Sequence, residues 1–296
     1  MLDVSALCIK IPSTTIKIDP VVLYQDTTIQ FDVMSIHWIV LGAQPVPVRH
    51  RDHGILPSIH IGQKSVVYAV DEKYVVKLSK VEHDTQSEAT IATRLRRLGT
   101  TTLLLPHASL HIGHSSNGMT RFEANFFPRF QGDLSEVNIV SRNLSTIHTI
   151  VTFLSSVIDE LSELGLVHGD IKLENILVTH EQGTLRVVLS DIESITVAGT
   201  NIVTPHLTPL YCHPERRHAV VRNLYDVVYA CYICILLFIY PYRMCTSHAM
   251  SESFILQQLW SWDPGTTLYM IRSKLIVRVY NILREWRTGV LTGIHP

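Results

Sequence analysis

The sequence predicts an α+β, bilobal fold with a small β-rich lobe followed by a larger α-helical lobe. The first 50 or so residues are rich in Val, Ile and Thr, strand-like runs prevail up to about residue 130, and helical patterns dominate from about residue 133. With 296 residues and 46% hydrophobic side chains, the chain can bury a substantial core. We place a β-rich extension without an assigned function at 1–54, the small lobe at 55–130 and the large lobe at 131–296.

The elements before residue 130 are predicted to be mostly strands. In the extension, apolar and polar residues alternate at 9–11, 15–18 and 28–31, whereas the proline-containing stretch 45–54 predicts a connector. The small lobe is predicted to run strand, strand, helix, strand, strand. The bounds expected for these five elements are 66–70, 74–78, 87–98, 103–112 and 121–127.

Helices are predicted to dominate the large lobe. Apolar residues with a 3.6-residue period predict an amphipathic helix at 146–164, which Gly165 ends. Two short strands are expected after it, at 176–178 and 185–189. The apolar residues of the helix are Ile147, Ile150, Val151, Leu154, Val157, Ile158 and Leu161.

One apolar run, at 227–240, is long enough to be compared with a membrane span. It has 14 residues without a charge, and a span needs about 20. We therefore expect a buried core helix and no membrane span. Cys231 and Cys234 lie inside this run, and we expect buried thiols rather than half of a zinc or redox site, because there is no second CxxC pair.

The composition of the chain limits which binding partners and which cellular compartment we expect. A net charge of −1 gives no electrostatic reason to expect nucleic acid as a partner. Five cysteines form an odd, sparse set, which is typical of a reduced intracellular protein, either cytoplasmic or nuclear. Residues 1–4 lack the basic region and apolar core of a secretory signal.

The stretch 166–177 carries the strongest functional pattern. Lys172 and Asn175 follow Asp170 at two and five positions, and Asp191 ends another apolar run 21 positions after Asp170. Such a set can orient a hydroxyl, neutralise a phosphate and bind magnesium through oxygen ligands. The pattern indicates a phosphotransferase.

These residues resemble the catalytic loop and metal-binding segment of protein kinases, written His-Arg-Asp-x-Lys-x-x-Asn and Asp-Phe-Gly in that family. The resemblance covers about 55–290. It implies that Asp170 orients a substrate hydroxyl, that Lys172 neutralises the transferring phosphoryl group, and that Asn175 and Asp191 hold Mg²⁺. Lys172 follows the serine/threonine type, which implies ATP as phosphate donor and protein substrates.

A lysine on a strand is the predicted phosphate contact. Lys77 ends Tyr74-Val75-Val76-Lys77, which matches the Val-Ala-Ile-Lys strand of protein kinases by position. The resemblance implies a glutamate partner for it in the following helix. Glu88, 11 residues later, is the expected partner, with Glu82 in reserve.

Two further segments are expected to contact the nucleotide. Residues 59–68 resemble the glycine-rich loop, but Gly62 is the single glycine left of its Gly-x-Gly-x-x-Gly pattern. Residues 126–130 would form the hinge under the adenine, with Phe127 and Arg129 as contacts.

The segment 208–215 resembles the Thr-x-x-Tyr-x-Ala-Pro-Glu end of the protein-kinase activation segment, with histidine in place of alanine. Gly169 stands where many protein kinases have an arginine that pairs with a phosphorylated activation segment. Because this cation is missing, we expect activity without phosphorylation at Thr200, Thr204 and Thr208.

Two other functions stay open. The spellings His-Gly-Asp at 168–170 and Asp-Ile-Glu at 191–193 also fit small-molecule kinases of the aminoglycoside or choline phosphotransferase kind, whereas Lys172 and the block 208–215 favour a protein kinase. A pseudokinase that acts as a binding module is the third interpretation, because the glycine-rich loop is eroded. Against it, the lysine and both acids are present.

Overall fold

A computed structural model describes twelve stretches of the chain. The chain divides into two compact units: Met1–Gly99 with Leu104–Arg129, and Thr100–Leu103 with Phe130–Pro296. The described residues are 8–11, 14–18, 22–23, 36–41, 44–50, 54–61, 65–81, 86–114, 121–136, 144–200, 208–212 and 221–239.

The described strands of the first unit are β1 (Cys8–Ile11), β2 (Thr14–Ile18), β3 (Val22–Leu23), β4 (Ile36–Leu41), β5 (Gln44–His50), β6 (Gly54–Ile55), β7 (Ser58–Ile61), β8 (Ser65–Ala69), β9 (Tyr74–Val81), β10 (Ala108–His114) and β11 (Arg121–Pro128). They form an antiparallel main sheet with the strand order β1-β2-β10-β11-β9-β8-β7, in which β3 also pairs with β10. A smaller sheet has the order β4-β5-β6.

The N-terminal strands extend the main sheet. Two of the three strands predicted before residue 50 are confirmed as β1 and β2, and the third, at 28–31, lies outside the described residues. Strand β2 pairs with β10, with Ile18 opposite Ile112. The start of the chain therefore continues the sheet that carries β9 and β11.

The predicted connector at 45–54 is wrong in its first part, because 44–50 form β5. Pro45 and Pro47 pair with Val40 and Trp38 of β4. Their missing N–H groups belong to one edge of the strand, since the two positions are two residues apart. In the described part of the chain, β6 pairs with β5 only beyond both prolines, so the β5 edge away from β4 has no partner strand at the proline positions. Prolines are tolerated at such an edge.

Helix α1 (Glu88–Leu98) confirms the predicted helix of the small lobe. The Ser87 hydroxyl caps it by accepting from the Thr90 N–H at 3.2 Å, and Gly99 ends it with φ 73°. The strand expected from residue 103 begins at Ala108 instead. Pro106, which lacks an N–H, precedes that start and cannot donate to a ladder.

The second unit contains helix α2 (Leu144–Glu163) and helix α3 (Leu224–Ile239). All seven apolar residues that predicted α2 are buried, and Gly165 follows it with φ 63°. The strands are β12 (Gly132–Asp133), β13 (Leu166–His168), β14 (Ile176–Glu181), β15 (Thr184–Leu189) and β16 (Ile195–Val197). Strands β14 and β15 form the predicted hairpin, with β12 on its edge, and β13 pairs with β16. These elements confirm the α+β class.

Helix α3 is the apolar run predicted to be a core helix, and its residues 227–235, 237 and 238 are all buried. Cys231 and Cys234 are buried free thiols. Burial raises the pKa of Cys231 to about 12 and that of Cys234 well above its ordinary value. Both thiols therefore stay protonated near neutral pH, which fits the buried thiols expected for this helix. Among the described residues, no helix is both long and apolar enough to cross a membrane.

Candidate active site

Asp170 lies among the polar side chains that the sequence predicted to act with it. Strand β13 delivers it, and a 3₁₀ turn at Leu173–Asn175 follows. The Lys172 ammonium lies 2.5 Å from Asp170 Oδ2. Asn175 Nδ2 donates to the Asp170 carbonyl oxygen at 2.7 Å and to Oδ2 at 3.3 Å. The structure thus brings three of the predicted residues into one hydrogen-bonded group.

Asn175 and Asp191 are joined through the intervening Ser190. The Ser190 N–H and hydroxyl both donate to the Asn175 carbonyl oxygen, at 2.8 and 2.9 Å. Because Asn175 uses its side-chain nitrogen on Asp170, its Oδ1 is the atom left to coordinate a cation. An amide oxygen and a carboxylate are the hard donors that Mg²⁺ prefers, so the two residues fit the metal predicted for them.

Asp191 has a left-handed backbone, with φ 64° and ψ 51°. This conformation costs an ordinary residue roughly 1–2 kcal/mol, and aspartate is among the few that adopt it routinely. The next residue, Ile192, is fully buried and starts a short 3₁₀ turn. Asp191 therefore lies between the end of β15 and a 3₁₀ turn that the buried Ile192 anchors.

His168 ties the catalytic loop to the segment that bears Asp191. Its Nδ1 accepts from the Asp170 N–H at 3.2 Å, so Nε2 carries the proton and donates to the Ser190 carbonyl oxygen at 2.9 Å. Burial lowers the pKa of His168, more than the nearby carboxylates raise it. The ring is therefore neutral at physiological pH.

Gly169 lies against the backbone of the following segment. Its N–H donates to the Ser194 carbonyl oxygen at 2.8 Å. A Cβ at this position would meet the same oxygen at 3.2 Å, closer than ordinary van der Waals contact. This close approach gives a local steric reason for glycine at the position where the His-Arg-Asp motif has arginine.

Thr208 and Tyr211 of the predicted block 208–215 contact the catalytic loop. The Thr208 hydroxyl donates to Asp170 Oδ1 at 2.8 Å. The Tyr211 hydroxyl accepts from the Leu173 N–H at 3.3 Å and donates to Glu174 at 3.4 Å. Burial raises the pKa of Tyr211, which keeps this hydroxyl protonated.

In the first unit, the structure pairs Lys77 with Glu88, as predicted. Lys77 Nζ lies 3.4 Å from Oε2 and 3.5 Å from Oε1 of Glu88. Lys77 is on β9, and Glu88 is the first residue of α1, where the helix dipole favours a negative charge. Glu88 is 2% exposed, so water screens this ion pair little.

A stretch of 108 residues, 34% of this chain, is 32% identical to the serine/threonine-protein kinase ROP17 of Toxoplasma gondii. The match spans 17% of the length of ROP17. No family model matches the chain. The structure of the Cydia pomonella granulovirus kinase PK-1 aligns with a TM-score of 0.47 at 16% identity, over 70% of this chain and 74% of that one.

Phe127 and Arg129, the other predicted nucleotide contacts within the described residues, have different surroundings. Phe127 is buried at the end of β11. The Arg129 N–H donates to the Lys73 carbonyl oxygen at 2.7 Å, and its guanidinium donates to the Asp71 carbonyl oxygen at 3.0 Å, so Arg129 holds the turn between β8 and β9. The predicted residues Gly62, Glu82, Thr204 and 213–215 lie outside the described part of the chain.

Two buried polar residues near Glu88, Glu123 and Asn125, were not predicted from the sequence. Glu123 and Asn125 are 1% and 0% exposed, and both belong to β11. The available signal was the alternation in Phe122-Glu123-Ala124-Asn125-Phe126, which directs both polar side chains to one face of a strand. Burial of that face, and hence the importance of the pair, could not be read from the sequence.

Proposed function

We propose that this chain transfers the γ-phosphoryl group of ATP to serine or threonine hydroxyls of protein substrates. The observation that carries the proposal is the group around Asp170, in which Lys172, Asn175 and Thr208 all contact one aspartate. Phosphoryl transfer needs positioning and charge stabilisation more than covalent help from the protein. A buried, fully oriented carboxylate next to a cation supplies both.

In the proposed step, the hydroxyl oxygen of the substrate forms a bond to the γ-phosphorus, and the bond from that phosphorus to the bridging oxygen of ADP breaks. The hydroxyl proton moves toward the Asp170 carboxylate. Lys172 stabilises the negative charge of the phosphoryl group in transit. Lys77, held by Glu88, would contact the phosphates of ATP.

Asn175 and Asp191 would hold magnesium. When bound, the ion offsets the phosphate charge and aligns the phosphates for in-line attack. In the described residues no group of three or more His, Cys, Asp and Glu could hold a metal ion. Magnesium nevertheless fits, because it commonly takes one or two protein ligands and fills its octahedron with phosphate oxygens and water.

The contact between Thr208 and Asp170 favours protein substrates over small alcohols. The block 208–215, which small-molecule kinases of the aminoglycoside or choline phosphotransferase kind lack, here contributes Thr208 to the aspartate and Tyr211 to the turn beside it. A segment attached to the loop in this way can present an extended peptide to Asp170. The alternative function, a small-molecule kinase, is supported by the sequence motifs at 168–170 and 191–193.

Purified chain with Mg²⁺ and labelled ATP tests the proposal. We expect label on serine and threonine of casein or of the chain itself, identified by phosphoamino-acid analysis. Transfer confined to aminoglycosides or choline would support the alternative. ATP binding without transfer to any acceptor would support a pseudokinase and would contradict the proposal.

A further inference from the structure

The first unit contains a buried hydrogen-bonded relay that ends at the Lys77–Glu88 ion pair. Its members come from three strands and the start of α1. Asn125 lies opposite Lys77 in the β9–β11 pairing and opposite Ser109 in the β10–β11 pairing. Glu123 is two residues away on the same strand face.

The central residue is Asn125, whose amide can point only one way. Its Nδ2 donates to Glu88 Oε2 at 2.9 Å and to Glu123 Oε2 at 3.1 Å. Its Oδ1 accepts from the Ser109 hydroxyl at 2.5 Å. Carboxylates only accept and the hydroxyl here donates, so a flipped amide would face oxygen with oxygen on one side. The two amide hydrogens thus connect two buried carboxylates.

Glu123 also fixes the start of α1. Its Oε1 accepts from the Ala89 N–H at 3.1 Å, one of the backbone donors that the helix itself leaves unpaired. Both carboxylates therefore lie at the positive end of the helix dipole. Movement of α1 away from β11 would break the bonds of both.

We propose that Asn125, supported by Glu123, is a positioning residue that holds Glu88 in place for Lys77. Asn125 lies closer to the Glu88 carboxylate than Lys77 does, at 2.9 Å against 3.4 Å. Glu88 is therefore fixed from the side of the sheet as well as by Lys77. This inference rests on the proposed function for its purpose, but the positional claim can be tested without catalysis.

The first readout is the rate at which acetic anhydride acetylates Lys77, followed by mass spectrometry, with the exposed Lys73 of the same sample as reference. Asn125→Leu removes the amide while keeping the side-chain volume similar. Since a hydrogen bond to a charged group is lost, we expect the Lys77/Lys73 labelling ratio to rise by roughly tenfold. Glu123→Gln keeps an oxygen for Ala89 but no acceptor for Asn125, and a smaller rise in the same direction is expected.

The second readout is the dissociation constant for Mg²⁺-ATP. We expect it to rise by roughly tenfold in Asn125→Leu, and by no further factor when the change is added to Glu88→Gln, because the two residues act as one unit. Thr102→Val is the matched control. It removes a part-buried side-chain hydrogen bond of 2.9 Å to Glu160 in the second unit.

The relay is overturned if Asn125→Leu alters Lys77 labelling and ATP affinity no more than Thr102→Val does. If Asn125→Leu does not fold, Glu123→Gln decides by the same comparison. Additive effects of Asn125→Leu and Glu88→Gln would also contradict the proposal. A wild-type chain that fails to bind or hydrolyse ATP counts against the proposed function alone, since the labelling ratio still reports on the relay.

Discussion

The hydroxyl of Thr208 donates a 2.8 Å hydrogen bond to Oδ1 of Asp170, while the ammonium of Lys172 contacts Oδ2 of the same carboxylate. A different residue therefore contacts each carboxylate oxygen of Asp170. A phosphate on Thr208 would remove this donor and place negative charge beside the aspartate. The contact therefore requires an unphosphorylated hydroxyl at position 208.

Thr208→Val is expected to lower phosphoryl transfer by about 10- to 100-fold, because a hydrogen bond to a charged group contributes roughly 1.5–3 kcal/mol. Thr208→Ser, which keeps the hydroxyl, should retain most of the transfer rate. Both are measured as initial rates of label incorporation. Equal transfer rates for Thr208→Val and wild type would show that the Thr208 hydroxyl does not contribute to transfer.

Alanine at Thr200 and Thr204 together should leave the transfer rate unchanged. A loss of transfer with intact ATP binding would indicate that phosphorylation of these residues is required.

Gly169→Ala should destabilise the chain. The added Cβ would lie 3.2 Å from the Ser194 carbonyl oxygen, which is held by the Gly169 N–H and by its place beside the β13–β16 pair. Crowding of this kind typically costs about 1–3 kcal/mol. Thermal unfolding checks the effect against Ser156→Ala on the exposed face of α2. A melting temperature equal to that of the control would mean that the loop accepts a side chain.

Acid should destabilise the chain partly through His168. Its pKa is lowered in the folded chain, so the unfolded state binds the proton first as pH falls below the ordinary histidine value of about 6.5. Stability is unaffected by this group above that pH and declines from there toward the lower folded pKa. We expect His168→Asn, which retains an acceptor near Nδ1, to lose less stability than wild type between pH 7.5 and 5.5.

The control for that measurement is His180→Asn, because His180 is exposed. Chemical denaturation at both pH values gives the difference in the free energy of unfolding for each variant. The interpretation fails if His168→Asn and wild type lose the same free energy on acidification.

Two substitutions of Asp191 should separate its contribution to metal binding from its contribution to folding stability. Asn tolerates the left-handed backbone, so Asp191→Asn should keep the wild-type melting temperature, whereas Asp191→Ala should lose about 1–2 kcal/mol of stability. Both remove the carboxylate. Loss of residues that only support metal ligands costs about 10–100-fold in metal affinity, so we expect at least a tenfold rise in the Mg²⁺ concentration needed for half-maximal transfer. An unchanged Mg²⁺ requirement in Asp191→Asn would exclude it as a ligand.

The sequence predicted the elements whose patterns are local. The period of α2, the helical spacing of α1 and the two strands β14 and β15 all depend on neighbouring residues, and the structure confirms them. The spacing of Asp170, Lys172 and Asn175 likewise lies within one turn, so the structure brings the three together as their spacing implied.

Features that depend on distant pairing were not predictable in the same way. Whether Pro45 and Pro47 fall on a strand edge without a partner depends on β4 and β6. The Asn125 relay joins residues from positions 77 to 125, and nothing local marks Glu123 as buried. The contact of Thr208 with Asp170 spans 38 residues and required the fold.

The most direct test of the central claim is a single-turnover measurement with Asp170→Asn. The variant keeps a side chain of the same shape but has no carboxylate to receive the hydroxyl proton. We expect transfer to a serine- or threonine-containing substrate to fall by about 10²–10⁴-fold, while the dissociation constant for Mg²⁺-ATP stays close to that of wild type. Transfer at the wild-type rate by Asp170→Asn would contradict the account.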